Sequence, residues 1–189
     1  MTKLFFVVLF SFSSLAHASI NSHLYENHTY NKKVVGVADY FKIELAQIEK
    51  QTEELQTICE DKNTDREFYQ CVKENEDVLS NNRFKNVYPI IYAFFEDTQT
   101  RNTIKQKLLD YYEADRNKLI KYIKKNSNKN DLEDNIVMNL DLLDNYYSSL
   151  IELGYNYSLK NFASDNEKTI EIEQYYEEIA QHITNINND

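Results

Sequence analysis

Cys59 and Cys71, the only two cysteines, are the residues whose pairing implies the most definite chemistry. Residues 1–18 have the pattern of an export signal, and paired cysteines in an exported chain indicate a disulfide. Their separation is much longer than the C-x-x-C spacing of redox sites, which argues against a reactive pair. The polar residues 61–64 lie between two amphipathic patterns. The sequence therefore predicts a helical hairpin that a disulfide pins near its turn.

The histidines and carboxylates do not assemble a metal site or an acid–base site. His182 follows Glu178 by four residues, so the two share a helix face, but no second histidine completes a di-iron pattern. His23, Glu26 and His28 could hold a metal weakly, although four closed ligands are not visible and a polar leader is the simpler interpretation. Adjacent glutamates on amphipathic helices point to solvent. We therefore expect no metal and no cofactor.

Nucleophilic and phosphate-binding motifs are absent from the sequence. No G-x-S-x-G elbow occurs, and the chain holds only two glycines. Glycine-rich loops that cradle phosphates therefore cannot form. With both cysteines in a disulfide, no thiolate nucleophile remains. The sequence predicts that the protein is not an enzyme.

Tyrosine is the unusual residue, with 15 copies and no tryptophan. Three adjacent pairs begin at Tyr111, Tyr146 and Tyr175, each in a different predicted helix. Neighbours lie about 100° apart on a helix, so we expect one member of each pair inside and the other at the margin of the apolar stripe. Marginal tyrosines favour recognition, although they could simply complete the edge of the core. The candidate partner-binding residues are Tyr112, Tyr146, Tyr175, Glu177 and Glu178.

Scarce glycine and proline predict an all-α fold, because sheets need these residues at their turns. Helical periodicity predicts a compact bundle of five or six mostly antiparallel helices within a single domain, residues 34–189. The first helix runs from Val34 to Cys59, and a capping box at Thr64 opens the second.

Four later segments complete the predicted bundle. An apolar segment follows over residues 87–95, with Pro89 near its start, where proline is tolerated. The next helix covers about residues 101–125. A further helix begins near Leu132 and stops at Gly154, and Ser164 opens the last helix.

The amino terminus and the charge suggest where the protein acts. Residues 1–18 combine Lys3, a short apolar run and a small-x-small cleavage site, which predicts a cleaved signal peptide. Residues 19–33 lack helical period and are expected to form a mobile arm. The protein would then be periplasmic or secreted, and soluble. A net charge of −10 disfavours nucleic acid and anionic membranes as partners, while the lack of a long apolar run argues against membrane insertion.

Two functions are compatible with these features. The first is an inhibitor or immunity protein that masks a basic toxic enzyme, such as a cell-wall hydrolase, because an acidic protein associates quickly with a basic partner. The second is a structural or chaperone-like protein that forms a homo-oligomer through the long stripe of the first helix. Salt sensitivity would separate the two, since screening weakens charged complexes but not apolar ones.

Overall fold

The protein is all-α. The structure, a computed structural model, describes residues 32–75 and 82–188, with side-chain surroundings for 41–75 and 84–187. Within these ranges six α-helices and one short 3-10 turn follow one another. They are α1 Lys32–Cys59, α2 Asp65–Glu74, α3 Asn82–Ile91, the 3-10 turn Ala93–Phe95, α4 Thr98–Asn126, α5 Leu132–Phe162 and α6 Asn166–Asn188. The predicted signal peptide and arm lie outside the described residues, except that α1 already includes Lys32 and Lys33.

Helices α1 and α2 form the predicted hairpin. The α1 stripe of Ile48, Leu55 and Cys59 is fully buried, as the helical spacing indicates. A disulfide joins Cys59 to Cys71, whose Cα atoms lie 5.9 Å apart. The capping box is also confirmed: the Glu67 amide donates to the Thr64 hydroxyl, and the Thr64 amide donates to the Glu67 carboxylate.

Helix α3 differs from the prediction at its start. Pro89 was expected in a first turn, but α3 begins at Asn82 and Pro89 lies near its carboxyl end. The face formed by Phe84, Val87 and Ile91 is buried, and its steps of three and four residues set the helix upstream of the proline. The Tyr92 amide donates to the Pro89 carbonyl, and the chain then tightens into the 3-10 turn.

Helix α4 begins at Thr98, three residues earlier than predicted, because the Asp97 side chain accepts a hydrogen bond from the Thr100 amide. Its first turn buries Arg101, which periodicity did not identify as a core residue. The guanidinium donates to the Glu96 carbonyl at 2.8 Å and pairs with the Glu171 carboxylate of α6. This ion pair ties α4 to α6.

Helix α5 does not stop at Gly154 as expected. It continues to Phe162, and no glycine in the described residues has a positive φ. The prediction that Gly154 ends the helix in a left-handed conformation is therefore wrong. Gly154 provides space instead: an added Cβ would lie 2.9 Å from the Tyr176 hydroxyl and 3.2 Å from the Ile90 carbonyl. The missing side chain lets α6 and α3 approach α5 closely.

Helix α6 begins one residue after Asp165, whose side chain accepts from the Lys168 amide, so Asp165 rather than Ser164 is the cap. The inward residues Ile172, Tyr176, Ile179 and Ile183 are buried, as predicted. Helix α5 is central, since it packs against α3, α4 and α6, and Phe41 of α1 also reaches its Tyr146.

Candidate functional site

The tyrosine pairs do not divide between the core and the margin of the stripe as expected. Tyr112, Tyr146 and Tyr175 are buried, and Tyr111 is the half-exposed member of its pair. Both members can be buried on α5 because other helices surround it, so its apolar sector is wider than one stripe. The predicted placement of these three tyrosines is therefore wrong. Their part in partner binding stays an untested prediction.

Internal acceptors explain how the hydroxyls of Tyr112 and Tyr147 enter the core. The Tyr112 hydroxyl donates to the Asp144 carboxylate, which also accepts from the Asn187 amide group at 2.9 Å. The Tyr147 hydroxyl donates to Asp115 at 2.7 Å. A buried hydroxyl is costly only when it lacks a partner, and here neighbouring helices supply one.

The third pair uses backbone carbonyls. Tyr175 donates to the Arg101 carbonyl at 3.0 Å, and Tyr176 donates to the Ile90 carbonyl at 2.6 Å. Ser158 lies 3.1 Å from the Tyr176 hydroxyl and donates to the Gly154 carbonyl. Burial raises the pKa of both tyrosines above the usual value. These hydroxyls hold helices together and leave little tyrosine surface for a partner.

A groove between α5 and α6 is a concave surface that combines apolar side chains with several carboxylates. Its volume is about 490 Å³. The α5 wall is formed by Ser148, Ile151, Glu152 and Tyr155. The α6 wall is formed by Glu173, Tyr176, Glu177 and Ala180. In both walls, successive lining residues are three, one and three positions apart in the sequence. Residues with this spacing lie on one face of a helix, so each wall is a single helical face.

The groove is acidic around an apolar floor. Glu152, Glu173 and Glu177 form no ion pair within the described part of the chain. Burial, and then the negative charge of Glu173, raise the pKa of Tyr155. Glu173 and Glu177 are four residues apart on one helix, where like charges repel. An incoming cation would relieve this repulsion.

The other predicted residues divide between the groove and its surroundings. Glu177 lines the groove, whereas Glu178 pairs with Lys105 of α4 at 2.6 Å. His182 is exposed. Among the described residues, no group of three histidine, cysteine or carboxylate side chains could hold a metal ion. His23, Glu26 and His28 lie outside those residues.

Sequence reasoning missed Glu152 and Glu173 as site residues. A signal for both was present, because Ser148, Ile151, Glu152 and Tyr155 share one helical face, and Glu173 lies one turn before Glu177. The residues predicted from the sequence were tyrosines at the margins of the apolar stripes and the adjacent Glu177 and Glu178, and not this face of α5.

No protein-family model, curated protein or solved structure matches this chain. In the part that the structure describes, no helix combines the length and the apolarity needed to cross a membrane.

Proposed function

We propose that the protein is an exported, non-enzymatic binding protein of the inhibitor or immunity type, which masks a basic toxic enzyme such as a cell-wall hydrolase. The observation that carries the proposal is the groove between α5 and α6. Three carboxylates without ion-pair partners surround an apolar floor there. The signal-peptide pattern of residues 1–18 predicts export to the periplasm or beyond, where such an enzyme would act.

The uneven distribution of charge along the bundle supports a basic partner. Helices α5 and α6 together carry ten carboxylates and two lysines. Helix α4 carries eight lysines and arginines against three carboxylates. The acidity of the chain is thus concentrated on the helices that form the groove, where it can steer a basic protein.

The groove suits a lysine or arginine side chain of the partner. The aliphatic stem of such a side chain can lie on Ile151, Tyr155 and Ala180, which line the groove. Its charged end would then meet the three carboxylates. A partner that covers such a groove with its own active-site surface would be blocked from substrate, which is the mode of action of an inhibitor.

Co-purification tests this function. The tagged protein is expressed in its own cells, recovered from the periplasm and eluted in steps of rising salt. We expect one basic enzyme in stoichiometric amount, released by moderate salt because screening weakens exposed charge pairs. Recovery of no partner, or of a partner that salt does not release, would contradict the proposal.

A charge-matched pair of variants locates the contact. Glu152→Gln, Glu173→Gln and Glu177→Gln together remove the groove charges and should abolish capture. The control removes three exposed glutamates elsewhere, through Glu53→Gln, Glu60→Gln and Glu113→Gln, and should retain capture. Equal loss in both triple variants would mean that net charge, and not the groove, determines binding.

A further inference from the structure

A row of exposed lysines forms a basic surface on α4. Lys118, Lys121 and Lys125, which we call the lysine face, are exposed and lie three and four residues apart on one side of the helix. None of them forms an ion pair within the described ranges. A chain of net charge −10 thus carries a concentrated positive surface.

The helix dipole explains only part of this surface. Cations are favourable in the last turn of a helix, and Lys124 and Lys125 lie in the last turn of α4. Lys118 and Lys121 lie upstream of that turn, where the effect fades. Lys121 and Lys125 are moreover like charges four residues apart, an arrangement that destabilises a helix. Stability of the single chain therefore does not account for the row.

The groove between α5 and α6 carries the complementary pattern. Glu173 and Glu177 are also four residues apart, also unpaired, and also repel each other. A lysine row and a glutamate row of equal spacing can lie side by side, and each then relieves the repulsion in the other. Both rows belong to the same chain.

We propose that the lysine face of one molecule docks in the α5–α6 groove of a second copy of this chain. The contact joins two different surfaces, so it is heterologous, and it adds molecules head to tail unless the geometry closes a ring. The proposal shares the groove with the proposed function but does not depend on the basic enzyme. Self-association would occupy the groove and compete with that partner.

Sedimentation of the purified protein alone tests the proposal. At low salt we expect species larger than one chain that grow with concentration from the micromolar to the millimolar range. High salt should return the protein to a monomer, because the contact is charged. A wild-type protein that stays monomeric throughout at low salt would overturn the proposal, while the co-purification result for the basic enzyme would stand unaffected.

Reciprocal variants identify the two surfaces. Lys121→Gln with Lys125→Gln, and separately Glu173→Gln with Glu177→Gln, should each yield a monomer of unchanged helix content. Mixing a lysine-face variant with wild-type groove and a groove variant with wild-type lysine face leaves one intact contact. That mixture should form a complex of two chains and stop there.

The control for net charge neutralises two exposed lysines on the α1–α2 hairpin, Lys50→Gln and Lys62→Gln, and should associate as wild type does. Loss of association in this control, or its persistence in either reciprocal variant, would contradict the assigned surfaces. A mixture that remains monomeric while the wild type associates would contradict them as well.

Discussion

The α1–α2 hairpin and the layer formed by α4, α5 and α6 are stabilised by different means. The hairpin uses an apolar stripe that includes Ile48 and Leu55, together with a covalent link. The three-helix layer uses tyrosines whose hydroxyls donate to carboxylates and carbonyls of neighbouring helices. An apolar stripe can be recognised in the sequence of one helix. A hydrogen bond between two helices can be recognised only when the positions of both the donor and the acceptor are known.

This difference determines what remains on the surface for recognition. Several tyrosine hydroxyls of α5 and α6 are turned inward to acceptors, and the charged side chains that line the groove between these helices are all glutamates. Glu152, Glu173 and Glu177 then define the groove. In this bundle a polar side chain is therefore buried where a neighbouring helix offers an acceptor, and its polarity alone does not decide its position.

Breaking the disulfide should have the largest effect on stability. Cys59→Ser removes the constraint on the unfolded chain and should lower the free energy of unfolding by about 3 kcal/mol, the chain-entropy value for a loop of this size. Urea denaturation of the variant measures the loss. Reduced wild type should behave similarly, and two reactive thiols in the native protein would contradict the link.

High pH should have the next largest effect on stability, through Tyr157 of α5, whose ring packs against Tyr92 and Phe68. Burial raises the pKa of Tyr157 on α5 from 10.0 to about 12, while its neighbour Tyr92 acts in the opposite direction. The protonated form is therefore favoured by folding, and its stabilisation is complete below pH 10 and lost as the pH approaches 12. At about 1.4 kcal/mol per pKa unit, the loss is roughly 2–3 kcal/mol for this side chain.

Urea denaturation at rising pH measures this loss, and phenolate absorbance reports the ionisation. We expect the absorbance to rise together with the loss of helix. Tyr157→Phe should make stability less sensitive to pH over the same range. Full ionisation of the tyrosines with unchanged helix content would contradict the burial of these hydroxyls in the folded protein.

Filling the space at Gly154 should have the smallest of the three effects. Gly154→Ala places a methyl group 2.9 Å from the Tyr176 hydroxyl, within a packed core. Crowding costs roughly 1–3 kcal/mol, while alanine favours the helix by about 1 kcal/mol, so we expect a net loss of about 1 kcal/mol. Thermal denaturation measures it.

The control for this change is Asn156→Ala, an exposed position on the same helix. It should be neutral or slightly stabilising, because it gains helix propensity without a close contact. A Gly154→Ala variant as stable as this control would show that α5, α3 and α6 do not need the close approach.

Much of the fold follows from the sequence, in places where the signal is local. The all-α class, the disulfide, the capping box at Thr64 and the buried stripes of α1 and α6 are confirmed. Each depends on composition or on spacing within one element. The run of α5 through Gly154 depends on where Tyr176 and Ile90 lie, which one segment cannot reveal.

The candidate site was predicted less well for the same reason. Glu177 was named and lies in the groove, but Glu152 comes from a different helix and joins it only in the folded bundle. Helical geometry placed Tyr112 and Tyr175 at the margin of the apolar stripes, but both are buried. Their acceptors, Asp144 and the Arg101 carbonyl, lie on other helices, which one segment cannot reveal.

Site-specific photo-crosslinking in living cells tests the location of binding most directly. A photoreactive residue replaces Ser148, on the α5 wall of the groove, or Ala46, an exposed position on α1. The account predicts a crosslink to a basic protein from position 148 and none from position 46. A partner captured from position 46 but not from position 148 would contradict the assignment of the groove as the binding surface.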